Sequence, residues 1–138
     1  MKLLTKDTDY AVRALLALAK DTKGYQSARE IADSNHMPYQ FLRTIMQRLI
    51  KEGFIVSKQG VNGGLQLVKK PNAIRVSDVM RVFQGDIQLS ECMFRGQLCE
   101  NRKTCVLRHE ILRIEKIVND EFKGITIGSL LKKMGAAK

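Results

Sequence analysis

Apolar residues recur at helical spacing through Tyr10, Ala11, Ala14, Leu15, Leu18 and Ala19. They predict a first helix that Thr5 caps, running to about Lys20 and ended by Lys23-Gly24. Ser27-Ala28-Arg29-Glu30 is a capping box, in which hydroxyl and carboxylate satisfy the N–H groups of a helix start, and it opens a short helix from Ala28 to Ser34. Asn35-His36-Met37 then turn the chain. Pro38 suits the first position of a third helix, reaching Glu52 and stopping at Gly53, with Leu42, Ile45, Met46, Leu49 and Ile50 facing inward. Beyond it the period changes. Phe54–Lys58 and Leu65–Lys69 are short extended runs around Gln59-Gly60-Val61-Asn62-Gly63-Gly64, where three glycines and an Asn supply the positive φ angles of a hairpin tip. Pro71 closes the hairpin, and Ser77-Asp78 start a short helix ending near Gln84-Gly85. From Cys105 to Phe122 a longer helix carries Leu107, Ile111, Ile114, Val118 and Phe122, a stripe that Val106, Leu112 and Ile117 widen. Residues 125–134 read as a last short helix.

Two short helices joined by a tight turn and followed by a glycine-tipped hairpin predict a winged helix-turn-helix. The fold class is mainly α with a small β-hairpin, plus a long C-terminal dimerisation helix. Three segments follow: a DNA-binding domain over 1–84, a cysteine loop over 85–104, and dimerisation and C-terminal helices over 105–138. The third helix would present Tyr39, Gln40, Arg43, Thr44 and Gln47 outward. Arg can bond guanine bidentately, Gln can pair with adenine, and Tyr and Thr reach phosphate or base edges. Ser27 and Arg29 from the preceding helix start, and Lys58, Gln59 and Asn62 from the wing, complete the expected DNA-binding set. The long helix has more apolar surface than one small domain buries, so a second copy packed on Leu107, Ile111, Ile114, Val118 and Phe122 is expected, beside the alternative that it folds back on its own domain.

Charge sharpens the choice of partner. Lys and Arg outnumber Asp and Glu by 24 to 14 in 138 residues, a net charge of +10 that favours a polyanion, with Arg29, Arg43, Arg48 and Lys58 as basic groups near the predicted DNA face. No stretch is long and apolar enough to span a membrane, and no signal peptide is visible, so a cytoplasmic setting is expected. An enzyme fares poorly: His36 and His109 are the only histidines, and no Ser/His/Asp or paired-carboxylate arrangement stands out.

Candidate chemistry lies elsewhere. Cys92, Cys99 and Cys105 are the only cysteines and fall within fourteen residues. Three soft thiolates from one segment make a metal half-site suited to zinc, copper(I) or an iron–sulfur cluster, and a fourth ligand must complete it. His109 follows Cys105 by four residues and shares its face of a helix.

Leu4-Thr5-Lys6 with Thr8-Asp9-Tyr10-Ala11-Val12-Arg13-Ala14-Leu15 resembles the start of IscR- and NsrR-type regulators, the Rrf-two group of bacterial winged-helix repressors. So do Gly60-Val61-Asn62-Gly63-Gly64-Leu65-Gln66-Leu67 with Lys70-Pro71, and Val76-Ser77-Asp78-Val79 with Gln84-Gly85. The resemblance runs in order over nearly the whole chain. It implies a homodimer with crossed long helices that binds a double-stranded DNA operator. It also implies a 2Fe–2S or 4Fe–4S cluster on Cys92, Cys99 and Cys105, through which cluster supply, redox state or nitric oxide changes DNA affinity. The gaps of six and five residues between the cysteines make the first one residue longer than is usual for IscR-like members. Those members carry His three residues after the last Cys, where this chain has Arg108 and then His109. NsrR-like members use an acidic residue of the partner's first helix, which Asp9 matches. Relatives often place Arg just before the wing glycine; here Lys58-Gln59 precede Gly60. The expectation is a cluster-sensing repressor, with structural zinc or a metal-free thiol switch as the alternative.

Overall fold

Thr5 begins α1 (Lys6–Lys20) as expected, its Oγ1 accepting the N–H of Thr8 at 3.3 Å. The computed structural model of the chain describes residues 3–21, 24–89 and 105–136. Ser27 caps α2 (Ala28–Ser34), its Oγ accepting the N–H of Glu30 at 3.0 Å. The turn to α3 (Tyr39–Lys51) carries His36 at φ 55, a left-handed position that costs a non-glycine residue free energy. Pro38 stands as the residue before α3 rather than its first helical residue. Antiparallel strands β1 (Ile55–Lys58) and β2 (Gly64–Leu67) then pair in the register Ile55↔Leu67 to Lys58↔Gly64. A 3-10 turn over Pro71–Ala73 leads into α4 (Val76–Gln84), and beyond the cysteine segment come α5 (Val106–Lys123) and α6 (Ile127–Ala136).

The core forms around α1. Ala11, Ala14 and Leu15 are fully buried, and α3, α4, α6 and β2 all pack on this helix. Leu42 and Leu49 of α3, Ile31 of α2, Ile55 of β1, Val79 of α4 and Ile127 of α6 meet in the same cluster. Small residues on one face of α1 let its neighbours approach closely, and this sets how α3 projects from the domain. Tyr10, expected in the stripe, is only half-buried; it meets Phe41 edge to face at 5.0 Å between ring centres.

The wing is tied down by a contact the alternating pattern does not reveal. Gln26 joins the hairpin as a third extended residue: its N–H donates to the Leu65 carbonyl at 2.9 Å, and the Leu65 N–H donates back at 2.7 Å. Gly64, at φ +139, has no room for a side chain, since a Cβ would lie 2.6 Å from the Gln26 carbonyl oxygen. A Cβ on Gly63 would collide with the Lys58 carbonyl. These two glycines close the sheet; the tip itself is the turn from Gly60 to Gly63, whose N–H donates to the Gly60 carbonyl at 3.1 Å.

The C-terminal segment folds back onto the N-terminal unit through an extended pair. Ile125 and Thr126 run extended beside Ile74 and Arg75, with the Val76 N–H donating to the Ile125 carbonyl and the Ile127 N–H to the Ile74 carbonyl, both at 2.9 Å. That pairing delays the last helix to Ile127. Thr126 and Ser129 cap it reciprocally, each backbone N–H donating to the other's hydroxyl at 2.9 Å. Ile127 sits in the main core, so α6 returns to the N-terminal unit. Val118 and Phe122 of α5 pack with Ile125 and Leu130 against Val76, Met80 and Ile87, a second, smaller cluster.

One polar lock joins distant segments. Gln84, the last residue of α4, accepts at Oε1 from the Thr8 hydroxyl (2.7 Å) and the Thr5 N–H (3.1 Å), and donates from Nε2 to the Leu3 carbonyl (2.9 Å). Thr8 is completely buried, and its hydroxyl has Gln84 as its nearer partner and the Thr5 hydroxyl at 3.1 Å as its other. Replacing Gln84 with Ala leaves that hydroxyl only the longer contact with Thr5 and strips the Thr5 N–H of its acceptor. Urea denaturation should then report a loss of about 1–3 kcal/mol with an unchanged m-value; a loss below about 0.5 kcal/mol would show that the lock contributes little.

Candidate nucleic-acid interface and thiol segment

The buried positions of α3 (Leu42, Ile45, Met46, Leu49) leave Gln40, Arg43, Thr44 and Gln47 exposed together on the opposite face. The Thr44 hydroxyl donates to the Gln40 carbonyl of its own helix at 3.2 Å, which leaves its oxygen as an acceptor. Among the described residues Arg43 has no ionic partner, whereas Arg48 pairs with Glu52 at 3.5 Å. Arg43 therefore offers its full set of donors to a ligand, and Arg48 offers a charge already balanced in part. Ser27, expected at the interface, uses its oxygen as the α2 cap.

Two of the predicted basic groups rest on aromatic rings. The Arg29 guanidinium lies 4.2 Å from the centre of the Tyr39 ring, joining the first turns of α2 and α3. Lys58, at the wing, lies 5.7 Å from the centre of the Tyr25 ring. Gln59 and Asn62 are exposed at the wing tip beside Val61, which is fully exposed. Tyr25 and Gln26 escaped sequence reasoning. Their signal was an extended pair just before the Ser27 cap, too short to read as a strand.

Of the thiol segment, Cys105 lies within the described residues; Cys92 and Cys99 lie outside them. Cys105 is a free, half-buried thiol at the N-cap of α5, and its Sγ accepts the Arg108 N–H at 3.4 Å. Sulfur lone pairs that accept backbone N–H groups suit a metal-bound thiolate. His109, one turn on, is exposed, and its backbone N–H donates to the Cys105 carbonyl at 3.3 Å. Asp9 sits in the first turn of α1, half exposed, with Oδ2 3.1 Å from Nε of Arg13. Among the described residues no three His, Cys, Asp or Glu side chains converge on one point.

The apolar stripe of α5 is divided. Val118 and Phe122 are packed against the chain's own domain, while Leu107 is 66% exposed and Val106 78%. Leu112, Ile114 and Ile117 are exposed as well. The polar face of the helix carries Glu110–Arg113 at 2.9 Å and Lys116–Asp120 at 2.8 Å. The hydrogen bond and charge of Lys116 hold the Asp120 carboxyl below its usual range, and those of Asp120 hold the Lys116 ammonium above its own. Among the described residues no helix is long and apolar enough to cross a membrane.

A winged helix that exposes a polar, partly cationic recognition helix defines a DNA-binding regulator. The chain belongs to the Rrf2 family, described as iron-dependent transcriptional regulators, whose model matches residues 4–133. NsrR of Bacillus licheniformis is 35% identical over 109 residues, 77% of this chain and 76% of that one. NsrR of Shouchella clausii is 34% identical over 75% of this chain and 67% of its own length. Among solved structures, CymR, the global cysteine regulator of B. subtilis, superposes with a TM-score of 0.82 at 26% identity, covering 96% of this chain and 98% of that one. IscR of T. potens shares the fold, with a TM-score of 0.79 at 24% identity over 100% of this chain and 91% of its own.

If Arg43 reads a base, Arg43→Ala should cost about 1–3 kcal/mol on a specific duplex and much less on random DNA. Arg48→Ala, which removes a charge already paired, should cost less on both. Fluorescence anisotropy measures each, and equal losses for Arg43→Ala on the two duplexes would reduce it to a phosphate contact.

Proposed function

We propose that the chain is a homodimeric repressor whose affinity for operator DNA is set by an iron–sulfur cluster, 2Fe–2S or 4Fe–4S, on Cys92, Cys99 and Cys105. The observation that carries this reading is the gathering of every cysteine of the chain into fourteen residues between α4 and α5 of an Rrf2-family regulator. Cys105 supports it by standing at the root of α5 with its sulfur free and accepting an N–H. When bound, the cluster supplies an iron centre whose ligation responds to redox state, nitric oxide or cluster supply. The chain's own part is to hold it between α4 and α5 and to make the position of α5 depend on it.

Two residues compete for the fourth ligand. His109 shares the helix of Cys105 and is exposed, so it joins a local site at little cost. Asp9 of the partner must exchange Arg13 for iron. That ion pair is open to water and contributes little, so the exchange is cheap, and it would couple one protomer's DNA-binding domain to the other's α5. A hard carboxylate is also the weaker partner for a sulfur-ligated cluster and the first to be displaced.

DNA contact falls to Gln40, Arg43, Thr44 and Gln47 on α3, with Ser27 and Arg29 at the start of α2 and Lys58, Gln59 and Asn62 on the wing, while Tyr39 stands behind Arg29 at the start of α3. The second copy packs on the ridge of α5 formed by exposed Leu107 and Ile114 and half-buried Ile111, with Leu112 and Ile117 exposed on the two flanks. Val118 and Phe122 support that ridge from their own domain.

Anaerobically purified protein should be brown, and Cys99→Ala colourless with its helical circular dichroism intact. Colourless wild-type protein carrying zinc, or protein without metal whose thiols oxidise reversibly, would replace the cluster with the corresponding alternative. For the dimer, Ile114→Glu should sediment as a folded monomer, because it puts an unpaired charge into the seam alone. Val118→Glu should instead lower the melting temperature, since it faces the chain's own core. A dimeric Ile114→Glu would place the interface elsewhere.

A further inference from the structure

The stack of Arg29 on Tyr39 assigns these two residues different tasks. The guanidinium centre lies over the ring at 4.2 Å, and among the described residues Arg29 makes no hydrogen bond or ion pair, so its five N–H donors remain available to a ligand. Arg29 itself is exposed and Tyr39 is half-buried, packed against the core. The ring is thus fixed by the domain while the cation it carries faces water. A free arginine side chain would have to give up its rotamer freedom on binding; one held by a ring has given up much of it already. The stack also bridges α2 and α3, so the cation is referenced to the recognition helix as well as to the helix that bears it.

We propose that Tyr39 is a positioning residue, which holds Arg29 as a preset clamp for a DNA phosphate through the ring face, with no contact of its own to the nucleic acid. This rests on the DNA-binding reading above and deepens it. Lys58 over Tyr25 is a looser version of the same device, at 5.7 Å and with a compact ammonium in place of a planar group.

The test uses full-length protein and a labelled duplex of random sequence, about 30 base pairs long, because phosphate contacts do not depend on sequence. Affinity is measured across a salt series. Arg29→Ala should weaken binding roughly tenfold and reduce the salt slope by about 2 per dimer, one phosphate from each protomer. Tyr39→Phe, which keeps the ring, should stay within about twofold of the parent. Tyr39→Leu should lose nearly as much as Arg29→Ala, and the double variant should lose no more than Arg29→Ala alone, the non-additivity that marks one acting through the other. Arg29→Lys serves as the arm that spares the core: it keeps the charge and salt slope and should still lose several-fold in affinity. Tyr39→Phe falling as far as Tyr39→Leu would assign the hydroxyl a direct contact and overturn the proposal. So would Arg29→Lys matching the parent, or an Arg29→Ala slope equal to the parent's. Should the parent itself fail to bind the duplex at low salt, the DNA-binding reading fails rather than the clamp.

Discussion

The close packing of α1 through Ala11, Ala14 and Leu15 is the contact on which the rest of the molecule depends. On one side it seats Leu42 and Leu49 of α3, and so sets which way the exposed polar face of that helix points. On another it receives α4, whose last residue, Gln84, bonds back to Thr5 and Thr8 at the start of α1. The α6 helix also packs on it, bringing the end of α5 into the same rigid unit through the extended pairing of Ile125-Thr126 with Ile74-Arg75. A change at α5 therefore has a continuous packed route to α3, through the cluster of Val76 and Met80 and then through α1. Such a route is a physical requirement for coupling two sites, though by itself it sets no magnitude.

The molecule divides its polar work between permanence and exchange. The Gln84 lock is part-buried and holds the shortest hydrogen bond of the fully buried Thr8 hydroxyl, so it belongs to the fold. Asp9 with Arg13, Arg48 with Glu52, and Lys116 with Asp120 lie open to solvent and contribute little to stability. Of these, only Asp9 lies where a better ligand is proposed. The same division applies to apolar surface: α5 spends Val118 and Phe122 on its own domain and leaves Val106, Leu107 and Ile114 outside.

Where the signal was local, the sequence was legible to the residue. Thr5 and Ser27 cap the helices they were expected to cap, because a hydroxyl and an N–H three residues on are enough to define the motif. The exposed polar face of α3 followed from the burial of its opposite side. What escaped was set by partners far along the chain. Gln84 reaches Thr8 across 76 positions, Gly64 is required by Gln26, and Ile127 is buried by an extended pair that no pattern in residues 125–134 announces. The pattern marks the wing glycines as turn formers, while Gly63 and Gly64 serve chiefly to let backbones meet. For the proposed cluster site, the residue types and their order were legible. Its geometry was not, because spacing alone leaves Asp9 and His109 equivalent.

The central claim is that the state of the cysteines is read at the DNA face. It is tested most directly by one anaerobic preparation, titrated against a duplex that the protein itself has selected from genomic DNA, before and after chelation strips its iron, at a single salt concentration. The account predicts affinities that differ by at least roughly tenfold, a coupling of about 1.4 kcal/mol between the thiol segment and α3. Superimposable isotherms would contradict it, leaving a DNA-binding protein whose cysteines have no say in what it binds.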